Sequence, residues 1–153
     1  MTKIKVIALD LEGTLISNAM SQFPRPGLYA FLEACRGRVE RVVMFTTVKE
    51  SVFRPIADLL VAEGHAPSWF RDIEFVTWEG ATKNLDWIPG VQPEEALLVD
   101  DFEIYVHPGQ EAQWLRAPFF DWPYPDDDTG LGIVLEMILN CTERRPGSTC
   151  GVE

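Results

Sequence analysis

The 153-residue chain is 46% hydrophobic and 11% aromatic, enough apolar side chain for one buried core and too much for a chain that stays unfolded. Twenty-four Asp and Glu against thirteen Lys and Arg give a formal charge of -11, which argues against generic binding to nucleic-acid backbones or anionic lipid. No stretch approaches the ~20 apolar residues of a membrane span, and no signal peptide is recognised, so a soluble cytoplasmic domain is expected. Cys35, Cys141 and Cys150, with His65 and His107, have no zinc-ligand spacing and read as free thiols and loop histidines. The sequence sets no oligomeric state.

The first element is the β-branched run from Ile4 to Leu9, too short for a helix and apolar enough for a buried parallel strand, which stops at Asp10. A turn containing Gly13 follows, then a loop punctuated by Pro24, Pro26 and Gly27. Leu28, Phe31, Leu32 and Cys35 have helical spacing, with Gly37 as a stop. Arg41 to Phe45 is a second buried strand, ending at Thr46 and Thr47. A second helix is predicted over Val52 to Ala62, with Pro55 in its first turn, and Gly64 closes it. Phe75 to Trp78 reads as a short strand and Asn84 to Ile88 as a helical turn. Ala96 to Val99 is a third buried strand, ending in Asp100 and Asp101. Phe119-Phe120 is a candidate edge strand, and Thr129 to Cys141 the last helix. Strands alternating with helices predict one α/β domain, Rossmann-like, with a mainly parallel sheet and helices on both sides. Residues 1–143 form that domain, and residues 144–153 read as a loose polar tail.

Three predicted strands end in Asp10, in Thr46 and in Asp100-Asp101, and in an open parallel sheet such residues converge outside the carboxyl ends of the strands. A carboxylate cluster there calls for a hard cation, and Mg²⁺ is the usual one beside phosphate. Lys83 lies in the loop between the second and third of these strands and can reach the same spot. Together they suit phosphoryl transfer: Asp10 as nucleophile forming an aspartyl-phosphate, Thr46 donating to a phosphoryl oxygen, Lys83 offsetting its charge, and Glu12 protonating the leaving oxygen before activating water. Taken singly, each residue has a plainer reading. Asp10 and Thr46 suit turn or helix caps, Lys83 a solvated surface, and Asp101 a turn. The run Asp126-Asp127-Asp128 reads as the cap of the last helix rather than a second metal site, and the five tryptophans as packing.

Asp10-Leu11-Glu12-Gly13-Thr14-Leu15 resembles the first motif of the haloacid dehalogenase (HAD) superfamily, with Thr46, Lys83 and Asp100-Asp101 in the order of its second, third and fourth motifs. Arg25-Pro26-Gly27-Leu28, Met44-Phe45-Thr46-Thr47, Lys83-Asn84-Leu85 and Leu98-Val99-Asp100-Asp101 resemble the NLI-interacting-factor or FCP/SCP-like phosphatase branch. The likeness covers about residues 4 to 140. It implies Asp10, Thr46, Thr47 and Lys83 around the phosphate. It further implies a Mg²⁺ site of Asp10, Asp100, Asp101 and the backbone carbonyl of Glu12, whose side chain takes the general acid/base position. A phosphoprotein or an accessible phosphorylated small molecule is the implied substrate. Two features depart from the pattern. Glu12 stands where Asp is usual, which keeps a low-turnover regulatory protein or a phosphotransferase in view. Residues 15 to 45 hold only a loop, one helix and one strand, without the added β-element that helps hold a phosphopeptide in that branch, and Thr46 to Lys83 is already filled, so an open, capless site is expected.

Overall fold

In a computed structural model that describes residues 2–143, five strands form one parallel sheet. They are β1 (Val6–Leu9), β2 (Arg41–Met44), β3 (Glu74–Phe75), β4 (Ala96–Asp100) and β5 (Trp114–Arg116), in the spatial order β3-β2-β1-β4-β5. The two central strands are the predicted apolar runs. Their registers bring Leu9 beside both Met44 and Val99, so β1, β2 and β4 end level with one another. The chain reverses its direction across the sheet after β3, which opens a switch point between β1 and β4 just beyond Leu9 and Val99.

The helices are α1 (Leu28–Arg38), α2 (Glu50–Ala62) and α3 (Gly130–Thr142). Alternation along the strands divides the core in two. Ile7, Leu9, Leu97 and Val99 point to one face, where Phe31 and Leu32 of α1, Phe53 and Ile56 of α2, and Val134 and Ile138 of α3 cover them. Val6, Ala8, Ala96 and Leu98 point to the other, where Val76, Leu85 and Ile88 pack. Both sides are covered, but all three α-helices lie on one of them. The crossovers from β3 to β4 and from β4 to β5 hold only short 3₁₀ turns, including Leu85–Trp87 and Glu103–Tyr105.

Several boundaries differ from the sequence reading. Helix α1 runs through Gly37 to Arg38, and α2 starts at Glu50, which places Pro55 one turn in. Strand β3 is only Glu74–Phe75. The edge strand is Trp114–Arg116 rather than Phe119-Phe120, because the ladder with β4 pairs Asp100 with Arg116 and Pro118 then interrupts the chain. Cys35 is a buried free thiol, but Cys141 is disulfide-bonded, which corrects the free-thiol reading; spacing alone does not say which sulfurs pair. The predicted tail, 144–153, lies outside the described residues. No helix is long and apolar enough to cross a membrane among them.

Candidate active site

Asp10 follows β1 directly, and its N–H donates to the Val99 carbonyl at 2.9 Å, which carries the sheet register into the loop. Asp100 closes β4 with its carboxylate turned to the same place. One Asp100 oxygen accepts the Phe102 N–H at 3.0 Å. Lys83 enters from the side without α-helices. Its backbone N–H donates to the Tyr105 carbonyl at 2.7 Å, and its Nζ lies 5.0 Å from the centre of the Tyr105 ring. The neighbouring Thr82 hydroxyl is 2.7 Å from His107 Nδ1, a second tie between the two loops. The wholly buried Lys83 Nζ then sits between the two carboxylates, 2.9 Å from Asp10 Oδ1 and 2.5 Å from Asp100 Oδ2.

The opposite oxygen of Asp10 faces Thr14. The Thr14 hydroxyl is 2.9 Å from Asp10 Oδ2 and 3.1 Å from Asp101 Oδ1, so one donor is shared between two carboxylates. The turn at Gly13 makes this possible. Its φ of 76° is a left-handed conformation, and a Cβ there would stand 2.8 Å from Asp101 Oδ2 and 2.9 Å from the Phe119 ring. Glycine is therefore required both by the backbone and by the space.

Burial governs the electrostatics. It raises the Asp10 carboxyl from 3.8 to about 7, against the pull of Lys83, and it raises Asp100 to about 6 with the Asp10 charge adding to the effect. Burial alone would lower Lys83, but the two carboxylates more than offset it and hold its pKa above the ordinary 10.5. Each carboxylate of Asp10, Asp100 and Asp101 offers an oxygen within 4.8 Å of the others. Three oxygen donors, two of them buried and short of positive charge, fit a hard divalent cation by donor type and by spacing.

The remaining predicted residues are placed differently. Glu12 is not in the carboxylate cluster; its Oε2 accepts the Ala19 N–H at 2.7 Å across the following loop. Thr46 is buried, accepts the Val48 N–H at 3.1 Å and receives the Trp78 indole N–H on its carbonyl at 2.9 Å. With exposed Thr47 it lines a cleft of about 540 Å³. His107 is a loop residue, as expected, and its contact with Thr82 ties down the Lys83 loop. Thr14, Tyr105 and Arg25 were given no part in the site from sequence. Arg25 is buried, donates to the Thr14 carbonyl at 3.2 Å, and pairs through Nε with Asp128 at 2.6 Å. Asp128 also accepts the Gly130 N–H at 3.0 Å, so the expected cap of α3 doubles as an anchor for Arg25. The sequence signals for Thr14 are its place after Gly13 in the first motif and its spacing of four from Asp10.

No curated protein matches the sequence. Among solved structures, the fold is similar to a variant of the fission yeast RNA polymerase II CTD phosphatase Fcp1 bound to beryllium fluoride, with a TM-score of 0.56 at 12% identity over 86% of this chain and 45% of that one. It is also similar to a structure described as Fcp1, an essential RNA polymerase II CTD phosphatase, with a TM-score of 0.57 at 13% identity over 93% and 51%. The chain thus spans about half the length of these structures. At such identity they speak for the fold. The sequence itself matches the family model described as NLI interacting factor-like phosphatase over residues 5–144, nearly the whole chain and all the residues that meet at Asp10. The chain belongs to the NLI interacting factor-like phosphatase family.

Proposed function

We propose that the protein is a phosphomonoester hydrolase that works through an aspartyl-phosphate on Asp10 and requires Mg²⁺. The observation that carries this is the buried trio in which Lys83 bridges Asp10 and Asp100 at the switch point of the sheet, with Asp101 alongside. Asp10, Asp100, Asp101 and the Glu12 backbone carbonyl are the groups that would hold the ion. When bound, Mg²⁺ supplies positive charge that draws the phosphoryl oxygens and the carboxylates together.

The chain's own residues do the rest. A carboxylate oxygen of Asp10 attacks phosphorus and forms the Asp10–phosphorus bond, while the bond from phosphorus to the ester oxygen breaks. Protonated Glu12 gives its proton to that leaving oxygen. Glu12, now a carboxylate, takes a proton from water as the water oxygen attacks phosphorus, which releases phosphate and regenerates Asp10. Lys83 holds Asp10 in place and offsets charge on the phosphoryl group. Thr46 and Thr47 donate to its oxygens from the end of β2. The open site suits a phosphoprotein or an accessible small phosphate ester. The test is hydrolysis of p-nitrophenyl phosphate: turnover is expected with Mg²⁺ and not with chelator, and Asp10→Asn is expected to abolish it. Equal rates for wild type and Asp10→Asn would end this reading.

A second reading is favoured by the bond from Ala19 to Glu12, which holds the acid/base carboxylate on the loop. In it the protein retains the pocket for binding and turns over negligibly. Glu12→Asp separates the two. A loss of rate marks Glu12 as a fitted acid/base, whereas a large gain marks a site detuned for turnover.

A further inference from the structure

A cleft of about 800 Å³ opens on the far side of the Gly13-Thr14 turn from the carboxylates. The wall between them is continuous: the Phe120 N–H donates to the Gly13 carbonyl at 2.9 Å, Arg25 donates to the Thr14 carbonyl, and both side chains line the cleft. Its lining is aromatic, from the buried Phe120, over which the Arg25 guanidinium stands at 5.2 Å, out to the surface. The ring centres of Phe23, Phe120 and Trp122 lie 5.6, 5.2 and 5.9 Å from that of Tyr124, and Trp122 is 75% exposed. Two non-glycine residues among those described have positive φ, and one of them lines the cleft. Tyr124 is that one, at 57°, and Gln22, at 56°, immediately precedes Phe23. Such conformations cost free energy for an L side chain and persist only where the surroundings impose them.

Three polar groups of the lining bear on its charge: the Arg25 guanidinium, the exposed His65 imidazole and the Asp126 carboxylate. The guanidinium is already engaged, since Arg25 donates to both oxygens of Asp128 and to Thr14, and is buried. Asp126 also lines the cleft, is exposed, and forms no ion pair among the described residues. Aromatic faces beside an uncompensated carboxylate are chemistry for a cation with an apolar stem. The volume exceeds that of one side chain and leaves room for flanking backbone.

We propose that this cleft binds an arginine or lysine side chain of a polypeptide, with the stem against Phe23, Trp122 and Tyr124 and the charged end at Asp126. Binding here does not depend on turnover at Asp10. The test is a titration of acetyl-Gly-Arg-Gly-amide, and of the same peptide with citrulline for arginine, into ¹⁵N-labelled protein. The probes are the Trp122 indole N–H and the Tyr124 amide. Saturable shifts at both are expected with the arginine peptide. The citrulline peptide and the Asp126→Asn variant are each expected to weaken binding by roughly fivefold or more, and Trp122→Ala should weaken it as read at Tyr124. Equal responses to both peptides, no saturable shift at millimolar peptide, or shifts centred elsewhere would overturn the proposal. Failure of the hydrolase reading would show in p-nitrophenyl phosphate turnover and leave this measurement untouched.

Discussion

The shared hydroxyl of Thr14 is the smallest part on which the site depends. It sits between Asp10 and Asp101, two carboxylates that would otherwise repel one another at close range. A hydrogen bond to a charged group contributes ~1.5–3 kcal/mol when its partner would be left unmade. Thr14→Val keeps the shape and removes the donor, so p-nitrophenyl phosphate turnover is expected to fall by about tenfold or more. Thr14→Ser should retain most of it, and full activity in the valine variant would show that the contact is idle. The sequence made Asp10, Asp100 and Asp101 legible because each stands at the end of an apolar run, where topology brings chemistry together, and Lys83 by its place in the loop between two such runs. Thr14 and Glu12 were less so. Their contacts depend on a left-handed turn at Gly13 and on the course of the loop to Ala19, and neither leaves a periodic trace.

At the scale of elements, α3 is fastened to the first loop by one buried arginine. A Cβ on Gly130 would fall 1.9 Å from Arg25 Nη2, so the first turn of the helix and the guanidinium can share that space only because residue 130 is glycine. Burial works against ionising Asp128, but the bonds from Arg25 and the Gly130 N–H more than offset it and bring its pKa below the ordinary 3.8. A carboxyl depressed in the folded state stabilises it at pH above the unfolded value and loses that contribution as pH falls through the folded one. Asp128→Asn is therefore expected to lower stability by about 1–3 kcal/mol at neutral pH. The gap between variant and wild type should close below about pH 4. Urea melts at a series of pH values measure it, and a gap that is constant with pH would contradict the ionic account. Of the acidic run 126–128 expected to cap α3, Asp128 alone bonds to its first N–H, while Thr129 is the N-cap residue, and the arginine that Asp128 anchors is 103 residues away in sequence. Likewise, alternating strands and helices gave the parallel sheet, while the side taken by each crossover follows from strand order, which no local pattern encodes.

For the molecule as a whole, the dense side of the core offers its own probe. The Cys35 thiol is buried between α1 and the rest of that layer, and burial pushes its pKa to about 12. Native protein at pH 8 should leave the Cys35 peptide unmodified by iodoacetamide, with labelling appearing only as denaturant unfolds the chain. Fast labelling under native conditions would mean that this layer opens far more readily than its packing implies.

The unequal division of helices between the two sides of the sheet also has a kinetic meaning. Asp10 and Thr14 hang from strands and loops tied to the helical layer, whereas Lys83 is carried by the side built from isolated turns, whose amides have fewer partners to lose. Hydrogen–deuterium exchange should accordingly be faster at residues 80–90 and 103–113 than in α1 and α3, with opening free energies well below that of global unfolding. Uniform protection across both layers would refute this. If the difference is found, the ammonium of Lys83 can leave the two carboxylates while the rest of the fold stands. The charge balance of the site would then be set by a local opening equilibrium of one layer, and the carboxylates could exchange a lysine for another cation without the sheet ever coming apart.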